Sequence, residues 1–375
     1  MKRRLLLGGG TLLLLAIFLF FALGPDMIER SMNKVEPGPM PRVSAETAAL
    51  HTSLDLVDLH ADTLMWQRSL LSGRKQGQVD LGRLEAGNVA LQVFSSVTKT
   101  PKRQNLDSNS GDTDNITLLA FAQLQPPRTW TSLLQRSLWH AEKLRDVEAK
   151  AKGRLRIVRN GADIARLIAD RRAGRPVTGA LLSIEGLQNL EGKAANLDIL
   201  YNAGFRMAGL AHFFDNELTG SMHGVRKGGL TPLGREIVGA MESKGMIVDL
   251  AHVSHKGVAE ILAMATRPVI SSHGGVQATC NVNRNLTDEE IRGIAKTGGV
   301  IGIGYWDAAV CDTSPASIAK AIAHVRDLVG IAHVGLGSDF DGAVTTRFDT
   351  AQLAALTQAL VDRGFTRDEI RAVMG

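Results

Sequence analysis

The chain is poor in cysteine, in aromatic residues and in concentrated charge. Two cysteines, Cys280 and Cys311, stand among 375 residues. Two thiols exclude a four-thiolate zinc site and a disulfide-built scaffold; they leave one disulfide or two free thiols equally open. Aromatics make up 5% of the chain, and the lysines and arginines behind its formal charge of +5 are scattered. No basic stripe interleaved with stacking rings is present, which argues against nucleic-acid binding. Proline is scarce as well, eleven residues against thirty-nine glycines, a balance suited to tight strand-to-helix turns rather than disorder. A glycine-rich dinucleotide fingerprint is missing, since "GLGSDFDG" runs into aspartates at a strand end instead of opening a helix.

The hydrophobic share, 44%, is enough for one large core. Lys2, Arg3 and Arg4 precede the uncharged run Leu5–Leu23, which at about 1.5 Å per residue comes close to a bilayer core. The expectation is a signal anchor over residues 1–23, a polar, proline-containing tether over 24–44 and an exported domain over 45–375. A bacterial periplasmic domain on an inner-membrane anchor is the favoured location, and secretion after signal cleavage is the alternative.

Beyond residue 45, eight short apolar runs recur, among them "LDLVDLHAD", "VALQVFSSV", "GALLSIEG", "MIVDLAHVS" and "HVGLGSDFDG". Amphipathic stretches such as Asp288–Lys296 and Pro315–Val329 separate them. Strands alternating with helices predict parallel βαβ units, most economically a (β/α)8 TIM barrel. Two long connections, 98–154 and 214–229, follow the second and fourth strands, where barrels build substrate walls.

Polar residues mark the ends of these runs: His60 and Asp62, Glu185, His212, His252, His273, Asp339 and Asp341. In such a barrel they share one rim, and His60 and Asp62, two apart on a strand, share a face. A single strand-end histidine is more often structural than functional. Four histidines and several carboxylates gathered together are too costly to bury without a metal. Imidazole and carboxylate without thiolate suit zinc or a similar cation. The number of donors exceeds one tetrahedral site and fits two metals. No lysine ends a strand, which leaves Glu185 as the natural bridge.

The motifs "DLHAD", "LLSIEG", "LAHFFDNE", "DLAHVS", "ISSHGG", "RNLTDEEI" and "GLGSDFDG" resemble, in order and spacing, the membrane (renal-type) dipeptidases, peptidase family M19. The resemblance runs from about residue 54 to 375. It implies a metal-dependent hydrolase barrel with two Zn2+ per chain: His60 and Asp62 on one, His252 and His273 on the other, and Glu185 shared. It further implies that a hydroxide between the metals attacks a dipeptide, including dipeptides with a C-terminal D-residue. His212 would steady the oxyanion, Arg284 would grip the terminal carboxylate, and Asp339 would act as acid and base. Gln188 stands where many relatives carry histidine. Alternatives are a deacylase or lactonase on the same rim and an inactive membrane-tethered binding protein. The expected partners are a dipeptide and a lipid bilayer, with a homodimer left open.

Overall fold

In the computed structural model, the backbone is described for residues 2–73 and 76–375, and side chains for 14–73 and 76–375. Parallel strands lie side by side in the order Ile247–Asp249, Phe205–Gly209, Thr178–Glu185, Val89–Val97, Leu56–Ala61, Val334–Leu336 and Ile301–Ile303. A further strand, Leu155–Ile157, pairs with the first half of Thr178–Glu185. The sheet curls until its edges meet at the sixth apolar run. Asp249 bridges Ile270 and Ser271 bridges Ile301, backed by Gly302 N–H donating to Ser271 O at 2.8 Å.

Helices form where the sequence supplies both an apolar face and a start signal. Thr231 and Ser314 each place a capping hydroxyl before a proline in the first turn, and Pro232–Lys244 and Pro315–Val329 follow. Thr287 and Glu290 make a reciprocal capping box at the head of Asp288–Lys296. Each cap satisfies amide groups that the helix itself leaves open. Leucine, isoleucine and valine from these helices and from the strands fuse into one main core, at about 1.5–3 kcal/mol for each large side chain taken out of water.

The N-terminal region departs from expectation. A helix spans Lys2–Met32 with Pro25 inside it, and Lys34–Val35 pairs with Thr345–Thr346. Residues 25–35, read above as tether, are therefore fastened to the barrel. No helix among the described residues is long and apolar enough to cross a membrane. The first half of the expected anchor lies outside the residues whose side chains are described. The connection after the second strand is likewise ordered: Asn105 and Asn109 bond to each other, and the helix Leu133–Lys150 follows.

At the amino-terminal end of the strands a cavity of about 730 Å³, lined by Leu54, Asp55, Val177, Thr178 and Gly375, contains none of the polar strand-end residues singled out above. The chemistry lies at the other end.

Candidate active site

His60 and Glu185 are the only members of the predicted set inside strands. Asp62 turns out of its strand ahead of a single helical turn, Thr63–Met65, so it meets His60 through a bend rather than by strand alternation. His212, His252, His273 and Asp339 stand on the turns just beyond strand ends. His252 (φ 65°) and Asp339 (φ 60°) hold left-handed backbone, a conformation that persists only where the surroundings enforce it.

These side chains converge. His60 Nε2 lies 3.4 Å from Asp62 Oδ1, 3.6 Å from Glu185 Oε2 and 3.8 Å from Asp339 Oδ1. On the other side, Glu185 Oε1 lies 2.7 Å from His252 Nε2 and 3.3 Å from both His273 Nε2 and His212 Nε2. All are buried. Arg284, also buried, donates to His273 O at 2.8 Å. Gly274 makes room for it, because a Cβ there would come within 2.9 Å of the guanidinium.

Burial opposes charge on His60, yet the Asp62 and Glu185 carboxylates reverse this and hold its pKa well above the usual range. Burial would likewise raise Glu185, but the charges of His212 and His60 keep it well below the usual carboxylate range. Burial, then the Glu185 charge, pushes Asp62 up to about 7. Burial raises Asp339 well above its ordinary value.

The donor set fits a cation. His60 Nε2, Asp62 Oδ1 and Glu185 Oε2 are buried with no hydrogen-bond partner, and His252 Nε2 faces His273 Nε2 at 3.0 Å. Lone pairs brought together out of water are costly unless something positive satisfies them. Three groups of donor atoms lie within 4.8 Å: His60, Asp62 and Glu185; Glu185, His212 and His252; and His60, Asp249 and His273.

Sequence reasoning missed the groups beneath these donors. Asp249 accepts from Ser272 Oγ at 2.5 Å, and Ser272 Oγ lies 2.9 Å from His273 Nδ1. Asp58 accepts from Ser338 Oγ at 2.5 Å and from Ser338 N at 2.9 Å, fixing the residue before Asp339. Their sequence signal is faint: an aspartate inside an apolar run, and a serine directly before His273 and Asp339. Asp341 is a buried hub that accepts from Thr63 Oγ1 at 2.7 Å, Gln78 N at 2.6 Å and Arg68. Cys280 and Cys311 form a disulfide, settling the pairing that composition left open.

A curled parallel sheet with buried imidazoles and carboxylates at the carboxyl ends of its strands defines a metal-dependent hydrolase. The profile of the family "Membrane dipeptidase (Peptidase family M19)" matches residues 44–375, and the chain belongs to that family; it is a metallo-dipeptidase. Among its relatives, dipeptidase aclJ of Aspergillus oryzae is 28% identical, covering 100% of this chain and 87% of the relative. Dipeptidase tcpJ of Claviceps purpurea is 29% identical over 80% of this chain and 67% of its own. A metallopeptidase from Rhodobacter sphaeroides, solved with a phosphinate mimic of L-Ala-D-Ala, shares the fold at TM-score 0.67 and 22% identity, covering 86% of this chain and 96% of that one. The probable dipeptidase PvdM from Pseudomonas aeruginosa does so at TM-score 0.72 and 18% identity, covering 88% and 95%.

Proposed function

We propose that the protein is a two-zinc dipeptidase that accepts L,L-dipeptides and dipeptides with a C-terminal D-residue. One observation carries the two-metal reading: the oxygens of Glu185 face different histidines, Oε2 toward His60 and Oε1 toward His252 and His273. His60 and Asp62 would hold one ion, His252 and His273 the second, and Glu185 both. When bound, the pair supplies a water acidified to near neutral pH and polarises the scissile carbonyl.

The chain's own groups do the rest. His212, whose Nε2 lies 3.3 Å from Glu185 Oε1, would donate to the carbonyl oxygen as it gains charge. Asp339, beside His60, carries a proton to the leaving amine. Arg284 is a buried guanidinium whose hydrogen bond among the described residues goes to a backbone carbonyl, leaving its fork for a terminal carboxylate. Acceptance of a D-residue is supported by the Rhodobacter relative, whose ligand mimics L-Ala-D-Ala.

The test combines metal analysis with a panel of L,L- and L,D-dipeptides. We expect about two zinc ions per chain, loss of hydrolysis on chelation and recovery with zinc. Glu185→Gln should lower metal content and cut activity by about 100-fold or more. Arg284→Ala should raise KM for dipeptides by roughly 10- to 100-fold, the worth of a charged hydrogen bond, and spare substrates without a carboxylate. Folded, zinc-loaded protein that cleaves only carboxylate-free amides or lactones would favour a deacylase or lactonase.

The proposed location is the exported face of a membrane. Support comes from Lys2, Arg3 and Arg4 before the apolar run and from the exposure of Leu14, Phe18 and Leu23 on the N-terminal helix. Release of the full chain from membranes by alkaline carbonate would overturn the anchor, and labelling of the protein in intact cells by a cytoplasmic rather than an external reagent would overturn the location.

A further inference from the structure

We infer that His223 is a substrate-orienting residue whose Nε2 accepts the N–H of the scissile amide; this rests on the dipeptidase reading above. His223 belongs to the long connection after the fourth strand and is fully buried. Its Nδ1 lies 2.8 Å from Leu106 O. A carbonyl only accepts, so Nδ1 carries the proton and Nε2 of the neutral ring presents a lone pair. That Nε2 is buried with no partner. Leaving an acceptor so placed unsatisfied is costly, which points to a donor arriving with the substrate.

The surroundings say which donor. The imidazole stacks on Phe213, ring centroids 4.4 Å apart, and lies 5.3 Å from the His252 ring. Met222 N–H donates to His252 O at 2.8 Å. Ser221 Oγ donates to His212 O and accepts His223 N–H at 3.0 Å. Asn283, next to Arg284, donates to Met222 O. His223 is thus fastened between the backbones that carry His212, His252 and Arg284. A dipeptide held at its carboxylate by Arg284, with its carbonyl at the metal ligands, has one N–H between those two points, that of the scissile amide. Accepting this hydrogen would turn the nitrogen's own lone pair away from His223 as the amide becomes tetrahedral, leaving it free to take the proton from Asp339. No covalent bond to His223 forms or breaks.

The experiment compares a dipeptide with the matching ester, whose oxygen replaces the N–H, on zinc-loaded full-length protein. His223→Phe keeps the stacking ring and removes the acceptor; His223→Gln restores one. For His223→Phe we expect kcat/KM to fall about 10- to 30-fold on the dipeptide, the worth of one hydrogen bond, and to change less than about 3-fold on the ester; the Gln variant should recover most of the peptide-to-ester ratio. Should the Phe variant fail to fold, His223→Asn, too short to reach, supplies the same ratio. Equal losses on both substrates would overturn the inference and leave His223 a loop clasp. Wild-type protein that cleaves neither substrate would overturn the dipeptidase reading itself, which sets that failure apart.

Discussion

Asp249 shows how a residue beneath the site can govern a proposed metal ligand, His273. Its carboxylate holds Ser272 by both hydroxyl and amide, and Ser272 in turn meets His273 Nδ1. The contact fixes which imidazole nitrogen is left to face Glu185. Asp249→Asn keeps the size and removes the charge. We expect zinc affinity to fall about 10- to 100-fold, as is usual for groups that orient a metal ligand, read by competition with a chromophoric chelator. Unchanged affinity would reduce Asp249 to a packing residue. Asp249 and Asp58 escaped the sequence reading for a physical reason. In "MIVDL" and "LVDLH" an aspartate among apolar residues reads as an irregularity in a wall. Only the closed sheet places it under the ligands. His60, Glu185, His252 and His273 were legible because each ends an apolar run, where a side chain emerges at the rim.

At the scale of elements, the notable join lies between the N-terminal helix and the turn after Val334–Leu336. Glu29 Oε1 accepts from Arg68 Nε at 2.5 Å, and Arg68 also reaches Asp341. Asn33 Oδ1 accepts from Ala343 N at 2.8 Å, and Gln78 Nε2 donates to Lys34 O at 3.0 Å. Asp339, Asp341 and Ala343 all have positive φ, so residues 29–35 act as a strap across a strained turn that carries the proposed acid. Removing one partner from a buried ion pair costs about 3–5 kcal/mol. Glu29→Gln should therefore lower the urea midpoint clearly, and deletion of residues 1–35 more so, whereas deletion of residues 1–23 should spare it. Equal stability in all three would refute the strap. Its partners lie well outside any local pattern, Arg68 and Gln78 far along the chain and Ala343 and Thr345 at its other end, which is why a polar stretch containing Pro25 reads as a tether. The helices Asp288–Lys296 and Pro315–Val329 were legible to the residue because each carries its own cap and its own apolar face.

For the whole molecule, the dependence of stability on pH follows from histidines outside the site. Burial, then the charges of Lys143 and Arg136, pushes His140 from 6.5 down to about 3, and burial lowers His51 as well. As pH falls below 6.5 the unfolded chain takes up these protons first. Stability from the neutral His140 is thus complete above about pH 6.5 and is lost between there and about pH 3, at up to about 1.4 kcal/mol per pH unit. His140→Gln, which can still meet Ser96, should flatten the urea midpoint between pH 6.5 and 4 by about one proton's worth. An unchanged slope would show that His140 contributes nothing to it. The curled parallel sheet was legible from its eight apolar runs, including the sixth, whose Ile270 and Ser271 join its edges through single bridges; the short strand Leu155–Ile157 was not, because three residues carry too little periodicity to read. The Cys280–Cys311 link has a practical consequence. It fastens the segment just ahead of Arg284 to the turn beyond Ile301–Ile303, so the grip proposed for Arg284 on a substrate's carboxylate would depend on the redox state in which the chain matures. Protein made where thiols stay reduced would fold around the same ligands with a looser specificity loop, and zinc occupancy alone would not reveal the difference.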